Sequence, residues 1–157
     1  YICIIVEEFM NNIEKQIDAV LNKKITNETL IRMYYEIGNT IKNYTSKELK
    51  ELELKLKYKY GVVIAFTDRN FIHMIHFSNY SNKLLSKFEK ITWKNILVIM
   101  KEKDDSLIDI CLEYNPTKQE LINYIKKKSS LKKNMELEMD DTLDELIRLQ
   151  RKVGELN

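Results

Sequence analysis

Arg69, His73 and His76 recur at helical steps of four and three, with Asn70 beside them, so one helix would carry all four side chains toward the same partner. These are hydrogen-bond donors of the kind that approach a DNA groove. His73 and His76 could also share a metal ion, but no third ligand is evident nearby. Structural histidines are the simpler alternative. Asp104-Asp105 and Asp140-Asp141 read as charges at helix starts rather than as an acid/base pair. Gly38, Gly61 and Gly154 are isolated, so no glycine-rich phosphate loop exists. No serine or cysteine sits in a nucleophile motif. The expectation is a protein that is not an enzyme and needs no metal or cofactor.

The groove-facing side chains need a helix to hold them, and the stretch from Thr45 to Tyr80 supplies a pair. Thr45 and Glu48 have capping-box spacing, and Leu49, Leu52, Leu56 and Tyr60 then share a face. Gly61 can take the left-handed conformation that ends such a helix. Thr67 is the next N-cap, with Asp68 at the positive end of the new helix. Phe71, Met74, Ile75 and Ser78 are expected inward, and Arg69, His73, His76 and Tyr80 outward. Two capped helices at this separation suggest a helix-turn-helix-like unit; the alternative is a purely structural helix pair.

Other elements follow from the same signals. A first helix is expected over Val6 to Leu21. Asn27 would cap a second carrying Leu30, Met33, Tyr34, Ile37 and Ile41, with Gly38 marking close packing against a neighbour. Val62 to Phe66 fits either a short strand or a buried connector. Helices are expected over Ser81 to Phe88, after Thr92 with Trp93, Ile96, Leu97 and Met100, and after Asp104 or Asp105 with Leu107, Ile108, Cys111 and Leu112. Asn115-Pro116 ends the last of these. Thr117 and Glu120 repeat the capping-box spacing before Leu121, Ile122 and Ile125.

The composition favours helix: 157 residues with 44% hydrophobic and 32% charged content, 3 Gly and 1 Pro. Cys3 and Cys111 form no metal spacing and read as reduced thiols of a cytoplasmic protein. Tyr1 to Val6 is apolar but too short to span a bilayer, and no membrane association is expected. Glu7-Glu8-Phe9-Met10 is what a translated purine-rich ribosome-binding site before a start codon would encode. Met10 is therefore a candidate start, with residues 1–9 not native.

The net charge of +2 hides a gradient. Residues 1–41 sum to −2, residues 42–133 to +8 and residues 134–157 to −4. The middle section suits an anionic partner such as a phosphate backbone. Lys55, Lys57 and Lys59 are expected to touch phosphates, as are Lys126, Lys127, Lys128, Lys132 and Lys133. The alternative is lysines that only solvate helix faces. Lys126 to Asn134 reads as a basic linker or exposed turn. Glu136 to Leu156 reads as an acidic amphipathic helix, with Met139, Leu143, Leu146 and Val153 at alternating four- and three-residue steps and Gln150 filling one slot. That face would pack on its own domain or engage a protein partner, including a second copy.

Three short motifs carry a family resemblance: Tyr34-Tyr35-Glu36-Ile37-Gly38; Phe66-Thr67-Asp68-Arg69-Asn70-Phe71 followed by Met74 and Phe77; and Ile91-Thr92-Trp93. In this order the chain resembles the N-terminal domain of unknown function of YhcG-type bacterial proteins over about residues 11–128. The family pattern there reads approximately YWEIG, FSxRNLxxMRxF and LSW. The resemblance implies a helical, winged-helix-like domain that usually precedes a PD-(D/E)XK nuclease module, in proteins tied to mobile elements and DNA transactions. Ile75 stands where the pattern has arginine, Asn95-Ile96 replaces a common His-Tyr pair, and no nuclease metal site follows, so nuclease activity is not carried over.

The expectation is thus a mainly α protein. A helical domain over residues 1–128 has a helix-turn-helix or winged-helix-like centre, and a basic linker with an acidic helix occupies 129–157. The expected function is a non-enzymatic accessory or regulatory protein of a mobile element or phage that binds double-stranded DNA. The alternative is a protein-interaction module that binds or inhibits a nuclease or other host factor.

Overall fold

A computed structural model describes residues 25–156. The helix expected over Val6–Leu21, the start at Met10 and Cys3 lie outside the described residues. The fold is mainly α. In chain order the described residues form α1 (Asn27–Ile41), α2 (Ser46–Tyr60), a 3-10 turn (Ile64–Phe66), α3 (Asp68–Ser78), α4 (Asn82–Phe88), α5 (Trp93–Glu102), α6 (Ser106–Tyr114) and α7 (Lys118–Leu156), with no strand among them. Two compact units result, one ending at Asn115 and the other starting at Pro116.

Local hydrogen bonds set the helix starts. The hydroxyls of Thr45, Thr67, Thr92 and Thr117 accept from the backbone N–H groups of Glu48, Asn70, Asn95 and Glu120, three residues on. Thr26, not the expected Asn27, caps α1 by accepting from the Thr29 N–H. Asn27 is drawn away from capping because its amide donates to the carbonyls of Glu89 and Ile91, both at 2.9 Å. Gly61 ends α2 at φ 80°, its N–H bonded to the Lys57 carbonyl.

The first unit is built around α3. Phe71, Met74 and Phe77 are fully buried, with α1, α2 and α5 packed against that helix. Gly38 removes the side chain where α1 crosses α3, and the two backbones touch there. The Phe77 ring is the hub of an aromatic cluster, edge-on to Tyr35, Phe88 and Trp93 at centroid distances of 5.3–5.6 Å. Arg32 closes α1 onto the end of α4 through Glu89, at 2.9 Å.

Val62–Phe66 resolves into an extended lead-in and a 3-10 turn, not a strand. Val62 and Ile64 are 80% and 89% exposed, so only Phe66 of that apolar run enters the core. The centre is therefore a helix pair without a β-wing among the described residues. The connection between its helices spans residues 61–67, longer than the three- or four-residue turn of a tight helix-turn-helix.

The second unit differs from its expectation. Lys126–Asn134 is not a linker but the middle of α7, which runs unbroken for 39 residues. Lysine is a good helix former, so a polar, basic stretch without glycine or proline keeps the helix going. The break falls earlier, where Asn115 adopts φ 44° ahead of Pro116.

Candidate functional site

The Thr67 cap and the Glu53 carboxylate together fix the start of α3. Glu53 Oε2 accepts from the Asp68 N–H at 3.2 Å, placing an α2 carboxylate at the positive end of α3. The spacing of Glu53 within its own helix gives no hint of this tie, because its partner is 15 residues away. With Phe71, Met74 and Phe77 buried, the opposite side of α3 presents Arg69 and His76 to solvent, with His73 half-buried between them and Ile72 40% exposed. Burial holds the His73 imidazole below its ordinary pKa, and the nearby positive charges of Arg69 and His76 push the same way. The outer side of α3 therefore presents one guanidinium and two imidazoles, all able to donate hydrogen bonds.

Two expected members of this stripe turn elsewhere. Asn70 is a structural brace: its Nδ2 donates to the Ala65 carbonyl at 2.7 Å, and its Oδ1 accepts from the Trp93 indole N–H at 2.9 Å. Both ends of the amide are used inside the fold, which removes Asn70 from the candidate interface. Tyr80 leaves the outer face because its ring packs against Phe88 at 5.1 Å and its carbonyl accepts from the Tyr35 hydroxyl at 2.8 Å. Of the expected inward residues, Phe71, Met74 and Ser78 are buried and Ile75 is half-buried.

Lys55, Lys57 and Lys59 all lie on α2 but do not form one row. Steps of two residues turn a helix by roughly 200°, so Lys57 points away from Lys55 and Lys59. Lys57 and Lys59 are exposed, Lys55 is half-buried, and the Lys59 ammonium sits 5.3 Å from the Tyr60 ring centre. Lys57 borders a small hollow with Glu53, Val63, Phe66 and Thr67.

Lys126, Lys127, Lys128, Lys132 and Lys133 are exposed on α7, in the second unit. So are Met139, Leu143, Leu146 and Val153, at 53–70% exposure. Among the described residues no group of three or more His, Cys, Asp or Glu side chains could hold a metal ion. No described helix is long and apolar enough to cross a membrane. Cys111 is buried, and burial raises its thiol pKa.

No curated protein and no solved structure matches the chain. A family model described as the DUF1016 N-terminal domain matches residues 8–131, which takes in all of the first unit's described helices and the start of α7. The chain belongs to the DUF1016 N-terminal domain family.

Proposed function

We propose that the protein is a non-enzymatic, DNA-binding accessory or regulatory protein of a bacterial mobile element or phage, acting in the cytoplasm. The observation that carries this reading is the outer face of α3, where the Arg69 guanidinium and the His73 and His76 imidazoles share one side of a helix whose other side is locked in the core. A helix presenting an arginine and two imidazoles suits a groove lined by phosphates and base edges. Lys57 and Lys59 on α2 add exposed positive charge within the same unit. The α7 lysines belong to the other unit, so the proposal rests on α2 and α3 alone.

Fluorescence-anisotropy titration of duplex DNA at two salt concentrations tests it. Binding that weakens steeply with salt and is lost on Arg69→Ala supports the reading. Absent or salt-insensitive binding overturns it.

A second reading, a protein-interaction module that engages a nuclease or another protein, is favoured by α7. From Leu131 to Val153 that helix exposes apolar side chains along its length. Soluble monomers rarely leave an apolar surface of that extent uncovered.

A further inference from the structure

One seam on the exposed side of α7 is arranged about Met135. One groove is lined by Tyr124, Lys127, Lys128, Leu131, Lys132 and Met135. The next begins at Met135 and is lined by Glu138, Met139, Asp140, Thr142, Leu143 and Leu146. Counting outward from Met135, Leu131 matches Met139, Lys128 matches Thr142 and Tyr124 matches Leu146. Tyr124, Leu131, Met135, Met139 and Leu146 thus have the same spacing read in either direction, while Leu143 answers to Lys127.

The charges on the two sides of this centre are opposite. Lys126, Lys127, Lys128, Lys132 and Lys133 precede it; Glu136, Glu138, Asp140, Asp141, Asp144 and Glu145 follow it. A parallel copy would set lysines against lysines and carboxylates against carboxylates. An antiparallel copy would set Lys132 beside Glu136 on one edge of the seam and Lys127 beside Glu145 on the other, with Met135 meeting its own counterpart at the two-fold axis.

We infer that α7 pairs with α7 of a second copy of this chain, antiparallel and centred on Met135. The inference rests on the second reading above and names its partner. It assigns the α7 lysines to self-recognition, leaving the α3 face for other work. The paired stretch from Tyr124 to Leu146 is about 34 Å long, enough for roughly three heptads of packing. Each copy uses the same face in this pair, so the contact closes as a dimer and does not propagate.

The test uses the whole chain. Sedimentation of the unaltered protein should give a dimer. The double variant Lys127→Glu/Lys132→Glu should raise the dimer Kd at least about tenfold, as should Glu136→Lys/Glu145→Lys, because each places like charges across the seam. An equimolar mixture of the two should regain dimerisation, since every cross-pair is then opposite in sign. Far-ultraviolet circular dichroism checks that each variant keeps its helix content.

Orientation is read by oxidative cross-linking in a background with Cys3→Ser and Cys111→Ser. A mixture of Leu131→Cys and Met139→Cys chains should cross-link more than either alone. Preferential 131–131 and 139–139 links overturn the antiparallel arrangement while leaving the interaction-module reading intact. A chain that stays monomeric at about 100 μM overturns self-pairing, and the interaction reading then requires a different protein as partner. Neither result bears on the DNA titration, which depends on the other unit.

Discussion

The α-carbon of Gly38 faces the backbone carbonyl of Met74 so closely that a Cβ added at Gly38 would lie 2.0 Å from the oxygen and 2.6 Å from the carbon. Backbone cannot swing aside as a long side chain can. In an open helix, alanine would gain roughly 1 kcal/mol over glycine. Here the clash decides the sign. Gly38→Ala should destabilise the protein by about 2–4 kcal/mol, measured by urea unfolding. A neutral or stabilising result would show that α1 and α3 do not meet this closely.

Asn70 and Arg69 are neighbours with opposite roles, and two variants separate them. Asn70→Ala removes the bonds to the Ala65 carbonyl and the Trp93 indole, leaving both groups unpaired. It should cost about 1–3 kcal/mol of stability. Arg69→Ala touches only the exposed surface and should change stability by less than about 0.5 kcal/mol. If the DNA reading holds, Arg69→Ala nevertheless loses affinity. Thermal melts beside the anisotropy titration read both effects.

His73 gives the proposed DNA face a pH signature. Its depressed pKa means that the folded state disfavours the protonated ring, so His73 contributes stability above pH 6.5 that is lost as pH falls. Phosphates would oppose the repulsion from Arg69 and His76 and draw a proton onto the ring. Duplex affinity should therefore rise as pH is lowered from about 8 to about 6. His73→Gln should flatten the rise; an unchanged profile removes His73 from the interface.

Tyr34 sets an alkaline limit. Its side chain is 5% exposed, its ring meets Trp93 at 4.8 Å, and burial lifts its pKa from 10.0 to about 12. Folding keeps the hydroxyl protonated, so the associated stability is complete below pH 10 and is lost as pH rises toward 12. The loss amounts to about 2–3 kcal/mol. Tyr34→Phe should remove that part of the alkaline destabilisation in urea titrations at pH 9 and pH 11.

What was legible in the sequence was local. The caps at Thr45, Thr67, Thr92 and Thr117 depend on a hydroxyl and an amide three residues apart, and spacing reveals them. The brace at Asn70 was hidden because Trp93 lies 23 residues away, and the diversion of Asn27 because Glu89 and Ile91 lie more than sixty away. Arg69 and Asn70 look alike as polar groups on a helix; only the surrounding fold separates surface from brace. Lys126–Asn134 continues the helix because polarity alone is no break; only backbone-restricting residues interrupt a helix of this kind.

The unbroken course of α7 has a mechanical consequence. Its 39 residues make a rod of about 58 Å, and each residue turns it by about 100°. Lengthening the rod by one residue at Ser129-Ser130 would leave every side chain chemically intact yet rotate Met139 and Leu146 a quarter-turn out of phase with Tyr124. The helix therefore keeps angular register as well as distance, a constraint that a flexible tether would not impose.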